Sequence, residues 1–452
     1  MSVPAPPAEP QSGHATIAQS LRFSAALGGV ALAAAAFAVM FRSSLSFALV
    51  HAAGTASIVQ ALHDAPWWVR LGLPALGGLA AGLVGLLVAR DATGHGVGDV
   101  MEAVVLGRVH LSMRATLLKS LGSWLAISAG GSVGREGPLI RFGGAAGKFL
   151  GDLARLPPDR VRVLIAAGTA AGFAAAYDTP FAAVLFVLEV VTGIVVLDTI
   201  VPVLIATVIA TALVRGAVGA TPLYGARAFV IHSAIDLGAF ALLGVVSALA
   251  AQGFMRLLAF GETVFRRPRL RPPWRSALGG LAAGAILVAI PEVAGNGYEP
   301  LTAVLDGRLP VLFVAGLLLA KSFATTASVS SGNPGGVFTP TLLLGGALGF
   351  VFGSGLSAVF GVNVGPVGGY ALVGMAAMIA ATTHAPLLAA VMAFELSGDY
   401  ALVLPLVLAT ALATLVSRRL RRDSIYGAEL RERGVGWELT LDGRRVANEP
   451  PA

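Results

Sequence analysis

The chain contains no cysteine among its 452 residues, so disulfide bonds and thiol chemistry are excluded. Charge is scarce as well: 12% of the residues are charged, whereas 56% are hydrophobic. A soluble protein of this length would carry charge over the surfaces of two or three domains. The sequence also lacks metal-ligand clusters, nucleophile elbows and phosphate-binding loops. We therefore predict that the chain is not an enzyme and binds no metal or cofactor.

What the chain has instead is a series of long apolar runs. Several of them reach the ~20 residues that a helix needs to cross a bilayer, and others are too short for that. The runs do not alternate between apolar and polar residues, as the strands of a membrane β-barrel would. The pattern predicts an all-α polytopic integral membrane protein. The clearest runs are Leu21–Val50, Leu71–Ala89, Thr116–Gly131, Val161–Leu197, Thr199–Leu213, Phe240–Ala259, Ala277–Ile290, Val311–Ala320, Thr341–Phe360, Tyr370–Ala381 and Val403–Val416.

The polar segments around these runs predict the topology. Residues 1–20 open with a Pro-rich stretch that lacks the basic start of a signal peptide, and we predict a disordered tail there. Arginines cluster at 266–275 and again at 418–422, beside apolar runs. The positive-inside rule places both clusters on the cytoplasmic side, where they contact lipid headgroups rather than nucleic acid. We expect a multi-pass protein of a bacterial inner membrane with both termini in the cytoplasm.

The chain contains an internal repeat. Gly168–Glu189 and Gly374–Glu395 align at an offset of 206 residues, with Pro180 opposite Pro386 and the two terminal glutamates opposite each other. Upstream, GREGP at 134–138 and GVFTP at 336–340 share the form Gly-x-x-x-Pro at an offset of 202. We predict one transmembrane domain over residues 21–430, built from related halves at 21–215 and 235–420. A short C-terminal tail, 431–452, follows it.

The Gly-x-x-x-Pro segments indicate helices that begin in the middle of the membrane. Such a helix exposes its first backbone N–H groups, each of which costs several kcal/mol in hydrocarbon if it stays unsatisfied. A bound anion satisfies these groups and interacts favourably with the positive end of the helix dipole. Transporters that are built from internal repeats bind substrate near the middle of the membrane, at such helix interruptions. TGHGVGDV at 93–100 is a third Gly-rich break of this kind, and the alternative for any single break is a close helix crossing.

Glu136 is an acid between two glycines, within one of these breaks. An acid inside a membrane is expensive and is a functional candidate by default. A carboxylate beside an anion-binding helix N-terminus can occupy the site itself. We therefore predict that Glu136 acts as a tethered competitor, which admits the anion when it is protonated or swings away.

Over residues 20–430 the chain resembles the CLC family of chloride channels and proton-coupled chloride exchangers. GSVGREGP resembles the motif that holds the family's gating glutamate, here Glu136, and SSGNPGGVFTP resembles the motif whose backbone amides hold the central anion. SIYGAEL resembles the segment with the family's pore-lining tyrosine. The resemblance implies a homodimer with one anion pathway per subunit, and two inverted-topology halves of tilted, partly broken helices. It implies an anion-binding set of His95, Gly134, Arg135, Gly137, Val337, Phe338 and Tyr426.

Two positions depart from the family pattern. His95 stands where the family has a serine that contacts the anion; its imidazole can donate an N–H and can also titrate, or it can point away and contact only backbone. Val190 stands where proton-coupled members carry a proton-transfer glutamate, and valine cannot carry a proton. The adjacent Glu189 matches a structural position of the family.

Three functions remain open from the sequence. The first is passive or weakly proton-coupled permeation of chloride or similar small anions. The second is proton/chloride antiport by a route that avoids position 190, through His95 or water. The third is another ion-coupled secondary transporter, which would need a further cluster of intramembrane acids that the sequence lacks.

Overall fold

The structure is a computed structural model that describes residues 17–88, 96–105, 111–193, 197–219, 224–225, 229, 234–267, 270–360, 366–432, 434, 436–440 and 443–447. The helices of the first half are α1 (Ile17–Ala53), α2 (Ile58–Asp64), α3 (Trp67–Gly85), α4 (Val97–Val105), α5 (Met113–Ser128), α6 (Glu136–Leu153), α7 (Pro158–Tyr177), α8 (Pro180–Leu185) and α9 (Leu197–Val218). Those of the second half and the C-terminal end are α10 (Ala234–Arg266), α11 (Pro272–Ala289), α12 (Tyr298–Leu305), α13 (Val311–Ser330), α14 (Phe338–Phe360), α15 (Val367–Thr383), α16 (Pro386–Ser397), α17 (Val403–Leu420) and α18 (Ile425–Glu432).

Short irregular elements complete the fold. A π-helical turn, Phe186–Thr192, continues α8, and 3₁₀ turns lie at Pro291–Val293 and Tyr400–Leu402. Two strands, β1 (Gly436–Thr440) and β2 (Gly443–Ala447), pair as an antiparallel hairpin within the segment predicted as a short tail. At the other end, α1 already begins at Ile17, so the last four residues of the predicted disordered tail are helical. Residues 1–16 lie outside the described residues.

The helices have the lengths of a multi-pass membrane protein. Within the described ranges, seven helical segments are long and apolar enough to cross a bilayer. Three apolar segments are shorter: Pro180–Thr192, Val367–Thr383 and Pro386–Ser397. Large apolar side chains such as Leu312, Leu197 and Val359 are exposed on the outside of the bundle, as lipid-facing residues are. The predicted all-α membrane fold with broken helices is confirmed.

Proline determines where the longest apolar run breaks. The run Val161–Leu197 is divided between α7 and α8 at Asp178 and Thr179, directly before Pro180. The residue before a proline is biased away from helical dihedrals, and a proline fits the first turn of a new helix. Asp178 closes α7 with φ 61°, and His384 closes α15 in the second half with φ 58°. The two halves thus share an unusual left-handed residue at the same point of the repeat.

Close glycine contacts hold the neighbouring helices of each half together. A Cβ atom added to Gly143 on α6 would overlap the carbonyl of Gly168 on α7, and the reverse also holds. Gly345 on α14 and Gly374 on α15 have the same reciprocal relation. Small residues let membrane helices approach closely enough for backbone packing. Gly143 matches Gly345 at the offset of 202, and Gly168 matches Gly374 at the offset of 206. The sequence repeat is therefore also a repeat of helix packing.

Candidate functional site

Two helices from different halves begin at the same place in the interior. α6 begins at Glu136 and α14 at Phe338. The backbone just before each helix forms an isolated antiparallel bridge: the Gly134 N–H donates to the Gly336 carbonyl at 2.7 Å, and the Gly336 N–H donates back at 2.9 Å. The bridge fixes the two helix N-termini against each other.

The carboxylate of Glu136 lies on the N-terminus of α14. Its Oε1 accepts hydrogen bonds from the backbone N–H of Phe338 at 2.8 Å and of Thr339 at 3.3 Å. Its Oε2 accepts one from the Thr339 hydroxyl at 2.8 Å. The side chain is 1% exposed. An anionic group therefore satisfies the first N–H groups of a buried helix, as the sequence predicts for this segment.

Glycine is needed at both bridge positions because the Glu136 side chain covers them. A Cβ atom at Gly134 would overlap both carboxylate oxygens, and one at Gly336 would overlap the carboxylate from the other side. The glycines of the two motifs thus make room for the acid. This steric role stands beside the anion-binding role of Gly134, which stays a prediction.

Two hydroxyl groups of the site were not predicted from the sequence. Thr339 donates to Glu136, and its Oγ1 is also 2.8 Å from the Tyr177 Oη at the end of α7. Thr339 lies inside the GVFTP motif, so its place in the motif could have identified it. Tyr177 carries no such signal, because it ends an apolar helix 162 residues before Thr339 in the sequence.

The other predicted residues occupy different parts of the site. Gly137 and Val337 line a cavity beneath the carboxylate, and the half-buried Arg135 is the N-cap residue of α6. The three hydrogen bonds to the carboxylate come from Phe338 and Thr339, so the amide of Val337 is not among their donors. His95 lies outside the described residues.

A cavity of about 1210 Å³ reaches the site from one side of the molecule. Glu136 and Tyr426 both line it, and Tyr426 is held edge-on against Phe186 with the ring centroids 6.5 Å apart. Charged side chains of both signs also line the wall, among apolar residues. The charged residues are Asp99, Glu102, Lys119, Glu262, Arg266, Arg275, Arg421 and Glu429.

The third Gly-rich break also meets the site. α4 begins at Val97, with Asp99 in its first turn. Gly96, at φ 105°, approaches α6 so closely that a Cβ atom there would lie 3.0 Å from the carbonyl oxygen of Gly137. Asp99 is paired with Arg141 and, at 3.4 Å, with the Nζ of Lys119. The break therefore positions an ion cluster on the wall of the cavity.

Val190 lies in the π-helical turn and is 1% exposed. The adjacent Glu189 accepts hydrogen bonds from the N–H groups of Leu387 at 3.2 Å and Leu388 at 2.7 Å, at the start of α16. A π-turn places one extra residue in a helical turn and is frequent at functional sites. Here Val190 packs in the apolar core while Glu189 caps a helix.

The repeat partner of Glu189 makes the corresponding contact in the other half. Glu395 accepts from the N–H of Phe181 at 3.0 Å and of Ala182 at 2.8 Å, at the start of α8. Each half thus caps the short broken helix of the other. The contacts agree with the structural role that the sequence assigns to Glu189.

Comparisons with known proteins agree on the family. The sequence profile of the family described as "Voltage gated chloride channel" matches residues 76–418. A ClcB-like chloride channel protein of Ralstonia nicotianae is 37% identical over 378 residues, which are 82% of this chain and 88% of that protein. The voltage-gated ClC-type chloride channel ClcB of Escherichia coli is 38% identical over 376 residues, 82% of this chain and 89% of the relative.

Solved structures share the fold. A slow cyanobacterial Cl⁻/H⁺ antiporter has a TM-score of 0.83 at 24% identity, covering 91% of this chain and 98% of its own. A CLC-type fluoride/proton antiporter has a TM-score of 0.75 at 23% identity, covering 93% and 99%. With its helix N-termini meeting at a buried glutamate and its family profile matched over most of its length, the chain belongs to the CLC family of voltage-gated chloride channels and transporters.

Proposed function

We propose that the protein conducts chloride along a pathway that Glu136 gates, in a channel-like or weakly proton-coupled manner. The observation that carries the proposal is the Glu136 carboxylate on the N–H groups of Phe338 and Thr339. A carboxylate and a chloride ion need the same donors. While the carboxylate occupies them, the pathway is closed at this point.

Neutralising the carboxylate would open the pathway. A protonated Glu136 is a weaker acceptor than the ion, and its place on the helix dipole is worth less. The anion then competes for the two amides with a neutral group instead of a charged one. Flux should therefore rise as the pH falls, until the gate is fully protonated.

The cavity supplies the rest of the path on one side. Its wall includes Glu136, Tyr426 and arginines of the two basic clusters, among them Arg266 and Arg421. Since the positive-inside rule puts these clusters in the cytoplasm, we assign the cavity to the cytoplasmic side and both termini with it. Placement in a bacterial inner membrane is part of the same proposal.

Val190 supports weak coupling. Proton relays inside membranes need titratable side chains or ordered water, and the side chain at this buried position provides no acid. Proton/chloride antiport is the second candidate, because two proteins that share the fold are named as antiporters and the 1210 Å³ cavity has room for water up to Glu136. His95 remains a candidate anion ligand and proton carrier in either case.

We also propose a homodimer with a separate pathway in each subunit. Glu136 and Tyr426 of one chain line the same cavity, and Phe338 of that chain donates to Glu136, so a pathway needs no residue from a partner. Chemical crosslinking in membranes would test the dimer. A monomer by light scattering in several detergents and the absence of crosslinks would contradict it.

The gate is tested by chloride efflux from liposomes at several pH values. Wild-type efflux should rise towards acid pH, and Glu136→Gln should give fast efflux that no longer depends on pH. Glu262→Gln is the matched control, because Glu262 also lines the cavity but does not contact the α14 amides. Unchanged pH dependence in Glu136→Gln would reject the gate.

A further inference from the structure

We propose that the Thr339 hydroxyl binds the transported anion directly, and that Tyr177 holds this hydroxyl in the donating orientation. The inference rests on the proposed function, since it concerns the ion that replaces the Glu136 carboxylate. It adds a side-chain ligand and a positioning residue to the backbone amides of Phe338 and Thr339.

Counting protons fixes the direction of the hydrogen bonds. An ionised carboxylate accepts only, so the single proton of the Thr339 hydroxyl is used on the Glu136 Oε2 at 2.8 Å. The 2.8 Å contact between Thr339 and Tyr177 must then use the phenol proton. Tyr177 therefore donates to Thr339, and Thr339 donates to the anionic group.

The same direction suits an anion that takes the carboxylate's place. Glu136 spans two donor groups: Oε1 lies on the Phe338 and Thr339 amides, and Oε2 lies on the Thr339 hydroxyl. An ion held by those amides is also within reach of the hydroxyl, because all the donors lie within the first two residues of α14. A hydroxyl that already accepts from Tyr177 has its own proton free for this ion.

Packing holds the pair in place. Thr339 and Tyr177 are each 3% exposed. The Tyr177 ring lies 4.9 Å from the ring of Phe173 and 5.7 Å from that of Phe338, measured between centroids. Phe338 and Thr339 are neighbours at the start of α14, so the ring that orients Tyr177 belongs to the same segment that binds the ion. Such preorganised donors do not have to reorient when the ion arrives.

The two hydroxyls therefore have different roles. Thr339 would touch the ion, and Tyr177 would act only through Thr339. Removing the Thr339 hydroxyl should weaken chloride binding by about tenfold or more, as expected for a hydrogen bond to a charged group. Removing the Tyr177 hydroxyl should weaken it by about threefold, because Thr339 stays but loses its fixed orientation.

The test is chloride binding by isothermal titration calorimetry with sodium chloride, in a Glu136→Ala parent that cannot fill the site itself. We expect Thr339→Val to raise the chloride Kd by about tenfold or more and Thr339→Ser to stay near the parent. Tyr177→Phe should have its smaller effect alone and none in addition to Thr339→Val. Thr382→Val is the control, because the buried Thr382 hydroxyl donates to the carbonyls of Met378 and Ile379 in its own helix, α15.

The binding measurements separate failure of the inference from failure of the proposed function. A Thr339→Val variant that binds chloride like the parent overturns the inference and leaves the gate proposal standing. If the Glu136→Ala parent binds no chloride, the proposed function and the inference both fall. If Thr339→Val does not fold, Tyr177→Phe carries the test, and an unchanged Kd in that variant overturns the inference.

Discussion

Two pairs of repeat-related positions differ in their acids: one pair has an acid in both halves, and the other has an acid in one half only. Glu189 and Glu395 match at an offset of 206, and each caps the broken helix of the other half. Glu136 matches Phe338 at an offset of 202, so only one half carries the acid, and the other half supplies the N–H groups that bind it. The symmetric pair joins the halves. In the asymmetric pair Glu136 caps α14, and the proposed function makes this a cap that an ion can replace.

The first prediction breaks the symmetric pair. Glu395→Ala removes the acceptor for the N–H groups of Phe181 and Ala182 in a membrane setting. Each unsatisfied group costs about 1–3 kcal/mol, so for the two groups we expect a loss of about 2–6 kcal/mol of stability. The thermal unfolding midpoint in detergent should fall clearly, whereas the pH dependence of chloride efflux should remain.

Glu136→Ala is the matched comparison. It should abolish the pH dependence of efflux and change the unfolding midpoint less than Glu395→Ala, because chloride can replace the carboxylate on α14. Equal destabilisation by the two changes would contradict the distinction between a permanent cap and a replaceable one.

The second prediction displaces the asymmetric acid without removing it. Gly134→Ala adds a Cβ atom that overlaps both Glu136 oxygens, so the carboxylate must leave the α14 amides. The pH dependence of chloride efflux should therefore be lost, because the carboxylate no longer competes at the site. Efflux at acid pH should stay below that of the wild type, because the Cβ atom also narrows the space that chloride would take in the carboxylate's place.

Gly253→Ala on α10 is the control for this change, because a Cβ atom there meets nothing within 4 Å. It should leave efflux unchanged. If Gly134→Ala gave slow, pH-dependent efflux like the wild type, the carboxylate on α14 would not be what closes the pathway.

The third prediction concerns Val190, the residue next to Glu189 of the symmetric pair. With valine at 190, an imposed chloride gradient across liposomes should drive no stoichiometric uphill proton movement in the wild type. The measurement is external pH recorded together with chloride release. Proton uptake that scales with chloride movement would establish antiport and would move attention to His95 and to water in the cavity.

The sequence predicts the fold well, and it also points to the helix N-terminus where Glu136 lies, for local reasons. Helix breaks follow from proline and glycine, which act within one turn, so Pro180 and the Gly-x-x-x-Pro motifs are visible in the chain. The acid Glu136 stands out because acids are rare in apolar segments.

The contacts across the halves are harder to predict. Tyr177 meets Thr339 across 162 positions of sequence, and no local pattern encodes that distance. Val337 stays a predicted donor to the anion. The carboxylate lies on the next two amides, and this placement depends on how the Gly134–Gly336 bridge sets the two helices against each other. The π-helical turn at Phe186–Thr192 likewise has no signal in the sequence pattern.

The last prediction has the smallest effect. It compares an anion ligand in the cavity, Tyr426, with one at the N-terminus of α14, Thr339. Tyr426 lines the cavity, and its phenol can donate to an ion on the way to Glu136. Tyr426→Phe keeps the ring against Phe186 and removes only the hydroxyl. Because the cavity has room for water that can replace this donor, we expect chloride affinity in a Glu136→Ala background to fall by about threefold, which is less than for Thr339→Val. Calorimetry on the two variants side by side checks the order. A larger loss for Tyr426→Phe would place the tighter anion site at the cavity end of the pathway, and the N-terminus of α14 would then hold the gate but not the principal ion.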